Sequence, residues 1–409
     1  MSSTPSSNKT NTQPQQLASE TPASSNTPAI ILILQELEDP RIDRARKHHL
    51  TDILFISLCA VICGCESFED MEEFGIAKEE WFRKYLELPN GIPSHDTFTR
   101  VYKLLKPESF QNCLIKWTQN IRETIAGENV AIDGKAQRRA RNKNQNLHYI
   151  VNAWAGQNRL LLGQYKVAEK SNEITAIPEL LRILELSGCI ISCDAMGCQK
   201  TIAKEIIEAD ADYVLALKGN HETAHEEISE YLQYLAKEKN IPRGKNAAPA
   251  SPAVQALGYH TESEKGHGRT TTWHYYQSAE LEWFEDKNEW EGLKSVGMVH
   301  TITEENGKVR EEKRYYLSSL SLDVKKLSQS IRSHWGVENQ CHWVMDVVFK
   351  EDESRGRSGH IAQNYGTTRG LAMNMIRQEP KHKRGIKGRV KRAGWDNNYL
   401  EQILKNYNA

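Results

Sequence analysis

The chain has 409 residues, 39% of them hydrophobic, with 53 basic and 54 acidic side chains and a formal net charge of −1. That length suits two or three domains, and the near-zero charge excludes the bulk cationic character that would by itself announce a nucleic-acid binder. The longest apolar runs, Ala29–Leu34 and Ile53–Cys63, are too short to span a bilayer; the first residues lack a secretory signal core, and the eight cysteines show no paired zinc-ligand spacing, so a cytoplasmic protein with reduced thiols and no membrane contact is expected.

Residues 1–28 are rich in Ser, Thr, Asn, Pro and Gln and are expected to be disordered. Residues 29–125 read as an all-helical N-terminal domain. Its helices are Thr51–Cys63, then Phe68–Leu86 with Met71, Phe74, Trp81, Phe82 and Tyr85 at helical spacing, then one from Ser94 or Asp96 through Leu105, then Glu108–Ile125. In residues 126–220 the pattern changes. A short strand, Val130–Ile132, runs into Asp133. Tyr149–Ala155 and Leu160–Val167 form a hairpin around Gly156-Gln157-Asn158. Helix Ile174–Leu186, with Ser171 or Asn172 as cap, precedes strand Cys189–Cys193, which runs into Asp194; helix Thr201–Ala209 and strand Tyr213–Leu217 follow. The alternation describes a mixed α/β sheet.

Residues 221–320 read as an insertion: helix His221–Lys237, loop Asn246–Pro252, and a β-rich segment with strands Thr270–Tyr276, Ser295–Thr303 and Val309–Leu317, the last two joined by the turn Glu305-Asn306-Gly307. The α/β domain resumes over residues 321–378 with helices Val324–Arg332 and His334–Phe349. Residues 379–409 form a basic tail, made pliable by Gly385 and Gly388, and a short helix, Trp395–Tyr407.

Two aspartates, Asp133 and Asp194, follow buried strands, where open α/β sheets place ligands. Each is followed by a small residue, Gly134 or Ala195, which leaves room for a bulky substrate. Each also fits loop capping, since Asp is a common turn residue. On a helix, His334, Glu338, His342 and Asp346 are four apart and share one face. That face is a solvated stripe or a site with a partner; Trp335 and Trp343 beside it argue against full exposure. A zinc site there lacks the HExxH pattern of zinc proteases. Basic runs at Arg41–His49, Lys135–Lys143 and Pro380–Arg392 suit either a solvated surface or phosphate contact.

The stretches Asp133-Gly134-Lys135, Asp194-Ala195-Met196-Gly197-Cys198-Gln199-Lys200 and His334-Trp335-Gly336-Val337-Glu338-Asn339 resemble the catalytic blocks of insertion-sequence transposases of the DDE superfamily, nearest to the ISAs-type group with the H-repeat-associated proteins. The resemblance covers about residues 30–407 and includes Leu37-Glu38-Asp39-Pro40-Arg41, Ile92–Phe98, Lys170–Pro178, Leu217-Lys218-Gly219-Asn220 and Ala393-Gly394-Trp395-Asp396-Asn397. It implies a ribonuclease-H-like catalytic domain (126–220 and 321–378) with the β-rich insertion, preceded by the helical domain, which would bind DNA ends or dimerise. It implies Asp133, Asp194 and Glu338 as catalytic, metal-binding residues, holding Mg²⁺ (or Mn²⁺), two ions about 3.5–4 Å apart in such sites. The implied partners are double-stranded DNA, as terminal inverted repeats and target, and further copies of the chain on that DNA. Some related transposases carry Tyr, Arg and Lys around the Glu; here those positions hold Ile331, His334 and Met345. Candidate phosphate contacts are Lys135, Lys218, Arg332, His334, Lys387, Arg389, Lys391 and Arg392. A silent DNA-binding relic and a nuclease without strand transfer are the alternatives.

Overall fold

Strand-forming runs separated by turn residues build one nine-stranded sheet in the computed structural model, which describes residues 27–123, 125–141, 147–167, 173–239, 251–266, 268–356, 358–380 and 383–405. Most of the tail expected to be disordered, the caps Ser171 and Asn172, most of the loop Asn246–Pro252, and Lys381 lie outside the described residues. The strands are β1 (Asn129–Arg141), β2 (Leu147–Ala155), β3 (Leu160–Lys166), β4 (Ile190–Cys193), β5 (Asp212–Leu217), β6 (Gly258–Gly266), β7 (Arg269–Ser278), β8 (Ser295–Glu305) and β9 (Lys308–Ser318). Their order is β3-β2-β1-β4-β5-β9-β8-β7-β6. β1, β4 and β5 run parallel, and every other neighbouring pair is antiparallel.

β1 is longer than its apolar run suggests. Its parallel pairing with β4 ends at Ile132 opposite Cys193, yet the hairpin with β2 carries it onward, so Asp133 sits inside a strand opposite Asn152. The β-rich segment extends the same sheet: Tyr315–Ser318 of β9 pair with Leu217–Val214 of β5. The turn between β8 and β9 places Asn306 at φ 50° and Gly307 at φ 74°, the left-handed pair that a two-residue hairpin turn requires.

One large apolar cluster includes residues from Ile30 to Leu404, and a second, smaller one joins Ile190, Val214, Tyr275, Val299, Tyr316 and Leu327. Helix Leu50–Ile62 is buried almost all round and packs along Ile361–Gln378, near the C-terminus. Asn364 ties the two regions, donating to the carbonyls of Tyr102 (2.9 Å) and Leu105 (2.8 Å). The expected helix Phe68–Leu86 is two helices, Phe68–Ala77 and Glu79–Phe82, the first held by a Ser67–Asp70 capping box.

The described part of the basic tail is largely helical. Ile386–Trp395 is a helix, because Val390 and Ala393 give it a buried face, and its Gly388 packs on Arg384. Trp395 itself is 77% exposed, whereas Tyr399, Leu400, Ile403 and Leu404 of the following helix, Asn397–Lys405, are buried. Among the described residues no helix is long and apolar enough to cross a membrane.

Candidate active site

Three elements deliver the three carboxylates to one cleft of about 280 Å³. Asp133 comes from β1, just past its last pairing with β4, and Asp194 directly follows the last residue of β4. Glu338 comes from a single wide turn, Val337–His342, which interrupts the helix between Val324–Gly336 and Trp343–Val347. Such i→i+5 turns occur mostly as one-turn interruptions, frequently at functional sites. Lys218, just after β5, and Arg314, on β9, also line the cleft.

The wide turn re-aims the stripe that an uninterrupted helix would present. His334 reaches β4, its Nδ1 3.0 Å from Ser192 Oγ. His342 turns to β1, its Nδ1 3.5 Å from Asp133 Oδ2 and 3.6 Å from Glu338 Oε2. Asp346 meets the Lys135 ammonium. Ligand atoms of Asp133, Glu338 and His342 all lie within 4.8 Å of one another. Asp194 meets both readings of its sequence: Oδ1 accepts from the Met196 and Gly197 amides at 3.0 and 3.2 Å, while the residue also lines the cleft. A fourth carboxylate, Glu173 at the start of helix Glu173–Ile183, packs on Gly134, where any Cβ would collide with it.

Burial pushes Asp133 up to about 7; His342 opposes the shift, and the carboxylates of Glu338, Asp194 and Glu173 reinforce it. Burial and then Asp194 raise Glu173. Glu338 is held below its usual range, first by its hydrogen bond with His342. Burial lowers His334, which favours its neutral form. Carboxylates crowded until one retains its proton, in a cleft of hard oxygen donors, fit a divalent cation, whose own charge reverses that electrostatic logic.

The candidate phosphate contacts divide. Lys218 is exposed at the cleft mouth, and His334 lines the cleft. Lys135 is turned inward, bound to Asp346 and, at 2.6 Å, to Glu351, with 10% of its side chain exposed. Arg332 lies 3.4 Å from both Glu262 and Glu264 and stacks on Trp273 at 4.3 Å. Arg389 donates to the carbonyls of Ile376, Glu379 and Arg384 at 2.8, 2.8 and 2.9 Å. Arg392 stacks on Tyr399 at 4.7 Å and pairs with Asp396, while Lys387 and Lys391 are exposed. Sequence reasoning missed Asn152, Gln164, Glu173 and Arg314. Asn152 is a lone polar residue in the apolar run Ile150–Ala155, and Gln164 directly follows the apolar run Leu160–Gly163, but neither pattern alone tells a buried amide from one on a solvent face.

Residues 31–118 match the DDE_Tnp_1-associated family, and residues 124–375 match the transposase DDE domain family. The chain is 36% identical over 365 residues to the "H repeat-associated putative transposase YhhI" of Escherichia coli (strain K12), covering 88% of this chain and 93% of that protein. It is 41% identical over 292 residues to a Xanthobacter autotrophicus protein named for its place in the dhlA 3′ region, covering 70% and 93%. A solved piggyBac transposase synaptic complex with hairpin DNA is a distant likeness, with a TM-score of 0.40 and 11% identity over 94% of this chain and 76% of that one.

Proposed function

The chain belongs to the transposase DDE domain family and is an insertion-sequence transposase, an enzyme that cuts DNA and transfers strands; from that premise we propose that Asp133, Asp194 and Glu338 are its metal-binding catalytic residues. The observation that carries this reading is the convergence of three carboxylates from three separate elements on one cleft. The order β3-β2-β1-β4-β5, with β1 parallel to β4 and antiparallel to β2, supports a ribonuclease-H-like catalytic domain extended by β6–β9.

When bound, two Mg²⁺ (or Mn²⁺) ions supply activation of water or a DNA 3′-hydroxyl and stabilise the leaving oxygen. The chain's own residues do the rest. Asp133 and Glu338 would bring oxygen ligands from a strand and a helical turn to one point of the cleft. The Met196 and Gly197 amides fix one oxygen of Asp194 and so aim the carboxylate. Lys218 meets the scissile phosphate at the mouth and offsets its developing charge. The substrates are double-stranded DNA ends of the element and target DNA, handled by more than one copy of the chain. The N-terminal helices and the exposed lysines of the C-terminal helix hold flanking duplex.

The experiment is cleavage of end-sequence DNA by Asp133→Asn, Asp194→Asn and Glu338→Gln. An amide is a poor ligand for a hard dication, so each variant loses cleavage while DNA binding, followed by fluorescence anisotropy, persists. A variant that cuts at near wild-type rate removes its residue from the assignment.

A further inference from the structure

Asp133, Asn152 and Gln164 occupy one row across β1, β2 and β3: Asp133 pairs with Asn152, and Asn152 with Gln164. Residues directly opposite in adjacent strands project to the same face and interact. Here the row is polar inside an apolar sheet. Asn152 is 3% exposed, Gln164 5% and His342 5%. Polar groups buried this deeply are costly unless each is satisfied, and these satisfy one another. Gln164 Nε2 donates to Asn152 Oδ1 at 2.9 Å, which leaves the Asn152 amide hydrogens for His342 Nε2, 3.1 Å away.

We propose that His342 is a positioning residue of the metal site, locked by the Asn152–Gln164 amide pair with its proton on Nδ1, so that Nδ1–H draws the Asp133 and Glu338 carboxylates together. The inference rests on the reading of those two carboxylates as metal ligands. With Nε2 accepting from Asn152, the ring proton sits on Nδ1, facing Asp133 Oδ2 at 3.5 Å and Glu338 Oε2 at 3.6 Å. With both carboxylates ionised, the opposite tautomer would aim a nitrogen lone pair at two anionic oxygens. The two carboxylates come from different elements, a strand and a helix turn, and among the described residues His342 lies against both. Gln164, Asn152 and His342 therefore form a relay that carries the order of the sheet to the ligands. Outer partners of this kind typically set metal affinity by about 10–100-fold.

The first test is the tautomer itself. Long-range ¹H–¹⁵N spectra of the full chain with ¹⁵N-histidine, without metal and at alkaline pH, assigned by the signals lost in His342→Gln, are expected to show the proton on Nδ1. A proton on Nε2 overturns the proposal and makes His342 a nitrogen ligand instead. The second test is Mn²⁺ binding followed by electron paramagnetic resonance. Asn152→Leu keeps His342 and removes its lock, so Mn²⁺ affinity is expected to fall about tenfold or more, with kcat following and KM for end DNA unchanged. Gln164→Met, one step further from the metal, is expected to show a smaller fall and serves if Asn152→Leu does not fold. Wild-type Mn²⁺ affinity in a folded variant, or nitrogen coupling to Mn²⁺ lost in His342→Gln, overturns the proposal. Wild-type Mn²⁺ affinity in Asp133→Asn instead sinks the ligand assignment on which it rests, and the tautomer measurement tells the two failures apart.

Discussion

At the rim beside the candidate site, two residues along β1 from Asp133, the Lys135 ammonium is held between Asp346 and Glu351 and is almost withdrawn from water. On the C-terminal helix Ile386–Trp395, Lys387 and Lys391 stand in solvent, one turn apart on the face that ends in the exposed Trp395. The two regions use the same side chain in opposite ways. At the rim, charges are buried, mutually paired and coupled, so removing one changes its neighbours' protonation and geometry. On the helix, charges are solvated and nearly independent, and they act through a screened field on whatever polyanion approaches. A substitution at the rim is therefore expected to show in stability and protonation, and one on the helix in salt dependence.

Lys135→Met tests the buried half and carries the largest expected effect on stability. It leaves Glu351, 3% exposed at its side chain, and Asp346 without their shared cation. Removing one partner of a buried pair costs about 3–5 kcal/mol, read as a lower denaturant midpoint at unchanged slope. Glu351→Gln on top of it is expected to recover part of the loss. A cost below about 1 kcal/mol is what exposed pairs show, and it would place Lys135 with the helix lysines, available to phosphate.

Asp133 gives the next effect, of opposite sign. Its folded-state pKa is raised to about 7, so between about 4 and 7 the folded protein binds more protons than the unfolded chain. Stability of the metal-free protein accordingly falls as pH rises through that window. Asp133→Asn removes the titration and is expected to stabilise metal-free protein at pH 8 by on the order of 3 kcal/mol, while ending cleavage. Melting temperatures against pH in EDTA measure this; parallel curves for wild type and variant would show that Asp133 is not the proton holder. A bound dication must displace the same proton, so metal affinity is expected to rise with pH up to about 7 and level off above it.

The two regions also differed in how far they could be read in advance. Asp194 follows a buried strand as its sequence suggests, whereas Asp133 follows the run Val130–Ile132 that pairs with β4 but lies inside the longer β1, which the apolar pattern does not show. Glu338 was legible through its motif, but its aim was not: a uniform helix puts His334, Glu338, His342 and Asp346 on one face, and the wide turn Val337–His342 sends them to different partners. Nothing in local propensity marks where a helix takes five residues instead of four. Asn152 and Gln164 were hidden for a similar reason, since a polar residue within a strand is assigned to the solvent face until its cross-strand partners are known. Lys135 and Lys391 were indistinguishable because a basic run does not declare which of its members meets a carboxylate more than two hundred positions away. Trp395 inverted the usual rule: a large aromatic next to a buried helix is expected to dock, and Tyr399 and Leu400 docked in its place.

The exposed half of the comparison gives the smallest effect on the fold and the one most specific to DNA. Lys387→Gln with Lys391→Gln leaves the buried residues Val390 and Ala393 untouched, so stability should stay within about 0.5 kcal/mol of wild type. Arg389 is left in place, because its guanidinium holds three backbone carbonyls and its loss would unseat the helix. If both lysines reach phosphates, the log-log salt slope of DNA binding falls by roughly two units, at about 0.9 per contact. Preference for end sequence over random sequence should not move, because backbone contacts position the duplex without reading it. Salt titrations on both DNAs decide the matter. An unchanged slope means that this face meets solvent or protein rather than DNA. A loss confined to end DNA means that the helix reads bases, which would make these solvated lysines as position-specific as the buried one at the rim.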